Sequence, residues 1–240
     1  MDSEWHIRRQ MVEIGKRVYD KGFVAATDGN LSHRLSGDRV LVTPGGFCLG
    51  EMQPTDLAVV DVAGRFLTGP NQPTSELPLH LTVYRIRPDV QAVVHAHPPT
   101  ANAFSFAGES LEQCVIPEVV VGFGTIPTTR YATPSSEEGA EVVNELIRDH
   151  DGLILQRHGS LTVGASLRDA YFKLEKIEHA AHITLMARLL GKVIPLSEDE
   201  LRRLGRVSER MGWGPAEEIY RACKVNPRPA AAEHPSHDAG

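Results

Sequence analysis

The stretch Ala-Val-Val-His-Ala-His at residues 92–97 decides how this chain folds and where its chemistry is placed. Its apolar residues predict a buried β-strand that runs from about Val90 to His97. Side chains alternate between the two faces of a strand, so His95 and His97 point to the same side, close enough to bind one ion. The stretch therefore predicts a strand of a central sheet that carries two imidazoles at its end.

A second apolar stretch, residues 153–158, also ends in a histidine, His158, and Gly159 follows it. If the two strands are neighbours, three imidazoles converge, and Glu76 at the start of a helix predicted at residues 74–87 can add a carboxylate. Three histidines and one carboxylate suit Zn²⁺ or a similar divalent ion. A His-x-His pair alone is a weak signal, so the spacing leaves both a metal site and ordinary packing open.

The rest of the chain mixes helical and strand patterns. Apolar residues at helical spacing predict a first helix that ends by Gly22, and a long helix that begins at Ser166. Strand patterns occur at residues 31–35, 38–43, 57–61, 65–68, 115–121, 125–131 and 160–163. The pattern indicates one α/β domain, with a central sheet and flanking helices, over residues 1–225. Residues 226–240, rich in Pro and Ala, are expected to form a disordered tail.

Composition excludes several classes of protein. The 240 residues carry 25 Lys and Arg against 31 Asp and Glu, a net charge of −6, which argues against nucleic-acid and membrane-surface partners. The three cysteines are odd in number and far apart, which fits a reducing compartment and excludes a disulfide framework. The first residues are too polar for a signal peptide, and no apolar run approaches the ~20 residues of a transmembrane helix. A cytoplasmic protein is expected.

Three polar loops have the chemistry to hold an anion. Glycines allow close backbone approach, N–H groups at a helix start attract phosphate, and hydroxyls add donors. The residues concerned are Thr27, Gly29 and Asn30 in the first loop, Gly45 and Gly46 in the second, and Thr74 and Ser75 in the third. Each loop alone could be a simple turn or helix cap, and it is their combination with the histidines that indicates a site.

Six short motifs follow one another in a distinctive order. They are Gly-Asn-Leu-Ser at 29–32, Thr-Pro-Gly-Gly at 43–46, Thr-Ser-Glu at 74–76, His-Ala-His at 95–97, Tyr-Ala-Thr-Pro at 131–134 and Arg-His-Gly at 157–159. In this order the chain resembles the class II aldolase/adducin family over about residues 5–195. The resemblance implies a three-layer α/β domain whose mostly antiparallel central sheet is flanked by helices. It also implies a homotetramer with active sites at subunit interfaces.

The resemblance further implies a role for individual residues. The expected metal ligands are Glu76, His95, His97 and His158. The metal is usually Zn²⁺, with Mn²⁺, Co²⁺ or Fe²⁺ as other possibilities, and Glu76 is also the expected acid/base group. The substrate phosphate is expected to bind at Thr27, Asn30, Gly46, Thr74 and Ser75.

The function implied is that of an aldolase, which cleaves a small phosphorylated ketose to dihydroxyacetone phosphate and an aldehyde through a metal-stabilised enediolate. Two features depart from the aldolase pattern: the second loop reads Pro-Gly-Gly instead of Pro-Thr-Gly, and residues 114–124 lack the tyrosine that protonates the leaving group. Tyr220 is a candidate replacement or a packing residue. A decarboxylase of a keto or aromatic acid is therefore the nearest alternative. A sugar-phosphate epimerase and a non-catalytic, adducin-like interaction module are less favoured.

Overall fold

The structure, a computed structural model, describes residues 3–227. These residues form two compact units, one made of the chain up to Gln113 together with Thr125–Val193, the other of Cys114–Gly124 together with the chain from Ile194 on. The assignment of residues 1–225 to one class II aldolase-like domain stays a prediction. A disordered tail was expected at residues 226–240, and its residues 228–240 lie outside the part of the chain that the structure describes.

The described residues contain helices and strands in a mixed order. In chain order they are α1 (Glu4–Asp20), β1 (Asn30–Arg34), β2 (Arg39–Val42), β3 (Ala58–Asp61), β4 (Phe66–Thr68), α2 (Leu77–Ile86), β5 (Ala92–Ala96), α3 (Pro99–Ala107), α4 (Pro117–Phe123), α5 (Glu137–Leu146), β6 (Gly152–Leu155), β7 (Gly159–Gly164), α6 (Leu167–Leu190), α7 (Glu198–Met211) and α8 (Ala216–Ala222). Among these residues no helix is both long enough and apolar enough to cross a bilayer.

The first unit is built on one seven-stranded sheet in the order β4-β3-β2-β1-β5-β7-β6. Every pairing of neighbouring strands is antiparallel. The strand that carries the His-x-His motif, β5, lies near the middle, between β1 and β7. The predicted fold class, a central antiparallel sheet flanked by helices, is confirmed.

Two hydrophobic clusters cover the two faces of this sheet. Alternate residues of β5 divide between them: Val94 packs with α1 and α6 on one face, and Val93 packs with α2 and α5 on the other. Because both faces of β5 and β6 are buried, these two strands appear in the sequence as nearly continuous apolar runs and not as an alternation of apolar and polar residues. The result is the expected three layers, helix, sheet and helix.

The second unit holds α4, α7 and α8 around a small apolar cluster. A disulfide joins Cys114 to Cys223 in this unit, so the expectation that the number and spacing of the cysteines exclude a disulfide framework is wrong for this pair. The cause is that α4 and α8 pack together and bring two distant thiols within reach, which spacing along the chain cannot reveal. Tyr220 packs in the same cluster, and its hydroxyl donates to the carbonyl of Arg202 at 3.2 Å.

Two of the predicted strands are absent from the structure. Residues 115–121 were expected to be extended, but Pro117 begins helix α4, because proline suits the first turn of a helix and a short apolar run fits either state. Residues 125–131 run beside β6 and pair with it through one isolated bridge, Thr128 to Ile154, because Pro127 lacks the N–H of a regular ladder.

Candidate metal centre

The antiparallel pairing of β5 with β7 brings the three predicted histidines together. Ala96 of β5 faces Ser160 of β7, so His95 and His97 lie beside the turn that leads into β7. His158 lies in that turn. The sequence had placed it at the end of a strand, but β6 stops at Leu155, and the neighbour of β5 is β7.

Gly159 makes the close approach possible. A Cβ atom at this position would lie 2.5 Å from the carbonyl oxygen of Ala96 and 2.7 Å from Cδ2 of His97, so only glycine fits. The preceding residue, Arg157, has a left-handed backbone with φ of 57°, and its N–H donates to Ser105 Oγ at 2.7 Å. Asn102 adds a hydrogen bond from Nδ2 to the carbonyl of His158 at 3.1 Å. The turn is therefore held by both strands and by α3.

The side chains of the four candidate ligands converge on one point. Nε2 of His95 lies 3.1 Å from Nε2 of His97 and 3.0 Å from Oε2 of Glu76. Nε2 of His158 lies 3.2 Å from Oε1 of the same carboxylate. Tetrahedral ligands about 2.0–2.1 Å from one ion stand roughly 3.3–3.4 Å apart, so these separations suit a single small cation.

The chemistry of the donor atoms fits a cation as well. Nδ1 of His95 lies 2.9 Å from the carbonyl oxygen of Ser160, which can only accept, so Nδ1 carries a proton and Nε2 faces the centre. Oε1 of Glu76 is buried and has no hydrogen-bond partner among the described residues. Lone pairs packed this closely repel one another unless a positive charge lies among them. The three histidines thus form a group that can hold a divalent metal ion.

Protonation favours the same arrangement. Burial, together with the neighbouring His95, lowers the pKa of His97 to about 3 and that of His158 to about 4, so the two rings are neutral at pH 7. Burial alone would raise the pKa of Glu76, but His95, His158 and the Asn30 amide hold it well below its ordinary value. Ionised carboxylate and neutral imidazole are the forms that bind metals.

Glu76 is the N-cap of α2, one position before the first turn in which the sequence had placed it. Thr74 fixes its backbone: the Oγ1 atom of Thr74 accepts from the Glu76 N–H at 3.3 Å, and the Thr74 N–H donates to the carbonyl of Thr43 at 3.1 Å. The carboxylate is 8% exposed, so almost all of its environment is protein. Local capping geometry therefore aims the side chain at the three histidines.

A buried chain of hydrogen bonds lies behind Glu76. The Asn30 amide nitrogen donates to Glu76 Oε2 at 3.0 Å, and its oxygen lies 2.6 Å from Nε2 of His80. Nδ1 of His80 lies 2.7 Å from Ser32 Oγ, which is 2.8 Å from the hydroxyl of Tyr84. Sequence reasoning missed His80, Ser32 and Tyr84. The signal was present, because Glu76, His80 and Tyr84 are four residues apart and share one face of α2.

Asp28 was also not predicted. Its Oδ2 atom lies 3.7 Å from Nδ1 of His97, on the side of the ring that faces away from the other histidines. A carboxylate in this position favours the tautomer of His97 that presents Nε2 to the centre. Its place in the first polar loop, between Thr27 and Gly29, gave no indication of this contact.

The structure brings the second and third polar loops side by side, because Gly45 N–H donates to the carbonyl of Gln72 at 3.2 Å and Pro44 bridges Pro73. Thr43 Oγ1 accepts from the Leu31 N–H at 3.1 Å, which ties these loops to β1 beside Asn30. Of the residues predicted to bind phosphate, Thr27, Gly46 and Ser75 are exposed and Asn30 and Thr74 are buried. Ser75 Oγ contacts Ser135 Oγ at 2.9 Å.

Comparisons with known proteins find related sequences and structures. The family described as Class II Aldolase and Adducin N-terminal domain matches residues 9–185. An L-fuculose phosphate aldolase of Methanococcus vannielii is 37% identical, over 73% of this chain and 93% of that protein. A 3-oxo-tetronate 4-phosphate decarboxylase of Pectobacterium atrosepticum is 30% identical, over 85% of this chain and 94% of that protein. The crystal structure of YgbL from Klebsiella pneumoniae superposes with a TM-score of 0.79 at 31% identity, covering 85% of this chain and all of that one.

Proposed function

The chain belongs to the class II aldolase and adducin family, and on that premise we propose that it is a metal-dependent lyase. Its proposed reaction is the cleavage of a small phosphorylated ketose to dihydroxyacetone phosphate and an aldehyde. The observation that carries the proposal is the convergence of Glu76 on His95, His97 and His158. Relatives named as aldolases and decarboxylases support an enzyme of this family.

The four side chains are proposed to hold one divalent cation, with Zn²⁺ as the first candidate and Mn²⁺, Co²⁺ or Fe²⁺ as others. When bound, such a cation supplies a Lewis acid that draws electrons from a substrate carbonyl and stabilises the negative charge that develops beside it. The chain supports this use by keeping His97 and His158 neutral and Glu76 ionised.

Glu76 is the proposed acid/base group. In an aldol cleavage the β-hydroxyl loses its proton, the carbon–carbon bond breaks, and its electron pair passes to the ketone half as an enediolate. One carboxylate beside both atoms can accept the hydroxyl proton and return it to the carbon, so the reaction balances without another reagent. Oε1 of Glu76 is suited to this because it is buried and has no hydrogen-bond partner in the described residues.

The phosphate of the substrate is proposed to bind among the polar loops, at Thr27, Asn30, Gly46, Thr74 and Ser75. Support comes from the pairing of the second and third loops. Gly46 has a positive φ of 74°, and a Cβ atom there would meet nothing within 4 Å, so space beside its backbone is open. Asn30 already bonds Glu76 and His80, and would couple the phosphate loop to the base.

A decarboxylase is the second candidate, and Gly45 favours it. A Cβ atom at Gly45 would make only ordinary contacts, 3.6 Å to the Pro73 carbonyl oxygen, so packing does not require glycine where aldolases of the family have threonine. The loss of that hydroxyl therefore concerns the ligand. Loss of CO₂ beside a carbonyl breaks a carbon–carbon bond and leaves an enolate, so the same cation and the same proton carrier would serve. A keto or aromatic acid would then be the substrate.

A non-catalytic, adducin-like interaction module is a weaker candidate, because a protein without chemistry has no need of four convergent ligands and an ionised, buried Glu76. The proposed enzyme is a cytoplasmic homotetramer of carbohydrate metabolism with active sites at subunit interfaces. Sedimentation equilibrium of the purified protein tests the assembly, since a tetramer has four times the 26.3 kDa mass of the chain.

A substrate screen of the Zn²⁺- or Mn²⁺-loaded protein tests the reaction. Ketose 1-phosphates are assayed for dihydroxyacetone phosphate, and β-keto acid phosphates and aromatic acids are assayed for CO₂. Release of dihydroxyacetone phosphate supports the aldolase, and release of CO₂ supports the second candidate. Absence of both products with every substrate, from protein that holds stoichiometric metal, would favour the interaction module.

A further inference from the structure

The donors and acceptors of the buried chain behind Glu76 can be assigned one after another. A carboxylate oxygen only accepts, so the Asn30 amide presents Nδ2 to Glu76 and Oδ1 to His80. Oδ1 also only accepts, so Nε2 of His80 carries the ring proton. Nδ1 is then an acceptor, and the hydroxyl of Ser32 donates to it. One direction of donation runs through the whole chain.

The last member of this chain of hydrogen bonds is the hydroxyl of Tyr84, which contacts Ser32. Since the proton of Ser32 is used on His80, its oxygen accepts from Tyr84 at 2.8 Å. Tyr84 is held in turn by Arg34, whose guanidinium lies 4.8 Å from the ring centroid and donates to the Tyr84 carbonyl at 2.7 Å. Each polar group between the Arg34 guanidinium and the Glu76 carboxylate thus has one defined role as a hydrogen-bond donor or acceptor.

We propose that His80 is a positioning residue whose Nε2–H group holds the Asn30 amide in the one orientation that donates to Glu76. If the Asn30 amide were rotated by 180°, its oxygen would face Glu76 Oε2 at 3.0 Å, and two acceptors at this distance repel each other. The donation from His80 prevents that rotation. This inference rests on the proposed function in one respect, that Glu76 is the metal ligand and base.

As a consequence, the two carboxylate oxygens of Glu76 have different roles. Oε2 is anchored by the Asn30 amide, while Oε1 has no hydrogen-bond partner among the described residues. An anchored Oε2 fixes the carboxylate plane, so that Oε1 keeps its place beside Nε2 of His158. Groups that orient a metal ligand in this way typically change metal affinity by about 10–100-fold when they are lost.

The hydrogen-bonded side chains from Asn30 to Tyr84 are buried, so each depends on the others for its hydrogen bonds. His80 and Ser32 are fully buried, Asn30 is 3% exposed and Tyr84 is 4% exposed, so water has no access to replace a lost partner. In such surroundings an unsatisfied polar group is costly, and the amide has no cheap alternative orientation. If His80 served only to pair with Ser32, the loss of its bond to Asn30 would leave the metal ligands unaffected.

Two amide variants of His80 separate these roles. His80→Gln puts an N–H donor near the position of Nε2 and so keeps the bond to Asn30. His80→Asn reaches only the position of Nδ1 and keeps the contact with Ser32 instead. Thr82→Val is the matched control, because it removes a buried hydroxyl of α2 that takes no part in the hydrogen bonds behind Glu76.

The first readout is the affinity for Zn²⁺ alone, measured by competition with a chromophoric chelator on protein whose fold is checked by circular dichroism. We expect His80→Asn to bind Zn²⁺ about 10–100-fold more weakly, and His80→Gln and Thr82→Val to stay within a few-fold of the wild type. Equal affinities of folded His80→Asn and wild type would overturn the proposal.

The second readout needs only the folded His80→Gln variant for assignment, and no reaction that turns over. In ¹⁵N-histidine-labelled wild type, the ring of His80 is identified among the 11 histidines by its absence from the His80→Gln spectrum. An Nε2–H tautomer at pH 7 is expected, and an Nδ1–H tautomer or a charged ring refutes the positioning role. The lack of any lyase activity would remove the proposed function and leave this result intact.

Discussion

Nε2 of His95 lies 3.0 Å from Oε2 of Glu76, although one residue belongs to a central strand and the other caps a helix on one face of the sheet. The contact joins two atoms that can both act as ligands of one cation. It is stable when a positive charge lies between them, which is the physical basis of the proposed metal centre.

Replacement of Glu76 by Gln removes the charge of the carboxylate and its ability to carry a proton, but keeps its shape and its bond from Asn30. Turnover of the substrate found in the screen should fall by about 100-fold or more, with little change in melting temperature. Steady-state kinetics at saturating metal check this, with Glu13→Gln on the exposed face of α1 as control. Turnover like that of the wild type would refute the role of Glu76.

A methyl group at position 159 should disturb both the turn and the site. Gly159→Ala places a Cβ atom 2.5 Å from a backbone oxygen, so β5 and the turn must move apart, at an expected cost of about 1–3 kcal/mol. Urea denaturation measures the cost, and Zn²⁺ titration measures the loss of affinity. Gly214→Ala, where a Cβ atom makes only ordinary contacts, is the control. An unchanged free energy of unfolding would contradict the close approach.

Stability in acid should depend on His80. Burial and the neighbouring His95 together lower its pKa to about 3 against the opposing effect of Glu76, whereas an unfolded histidine titrates near pH 6.5. Below pH 6.5 the unfolded chain therefore binds a proton that the folded chain refuses, and stability falls as the pH falls. The loss between pH 7 and pH 5 is about 2 kcal/mol from this residue.

Urea denaturation of the metal-free protein at pH 7 and pH 5 checks this prediction. The wild type should lose about 2 kcal/mol more than His80→Gln, because glutamine does not titrate. Thr82→Val should lose as much as the wild type. Equal losses in wild type and His80→Gln would mean that His80 is not buried and neutral in the folded protein.

The disulfide between Cys114 and Cys223 predicts a thiol count. Protein purified without reductant should show one free thiol per chain after denaturation, that of Cys48, and three after reduction. Reduction should lower the free energy of unfolding by about 2–4 kcal/mol, because the bond closes a long loop. Cys48→Ser, which should show no thiol before reduction, is the control. Three free thiols in the unreduced protein would contradict the bond.

The central sheet could be predicted because both of its faces are buried. The apolar run ahead of His95 is short and rich in β-branched valine, which favours a buried strand, and the regular spacing of Ile7, Met11, Ile14 and Val18 indicated α1. The candidate ligands could be identified for a related reason, since His-x-His on a strand fixes the direction of two side chains.

Other features depend on packing that the sequence does not encode locally. Val115–Val121 is apolar and β-branched, yet Pro117 and the cluster around Cys114 make part of it helical. The buried chain from Asn30 to Tyr84 spans β1 and α2, and only their contact reveals it. The part of this network on α2, with His80 four residues after Glu76, follows a helical spacing in the sequence. That spacing is the same as the spacing of an ordinary buried helix face, so the sequence could not distinguish the two.

Metal stoichiometry tests the central claim most directly. The purified protein, stripped with a chelator and then incubated with Zn²⁺ and desalted, should retain one ion per chain by inductively coupled plasma mass spectrometry. His95→Ala and His158→Ala should retain none, while His182→Ala, on the surface of α6, should retain one. Wild-type protein without stoichiometric metal, or His95→Ala and His158→Ala proteins with full occupancy, would show that Glu76 and the three histidines do not form the proposed centre.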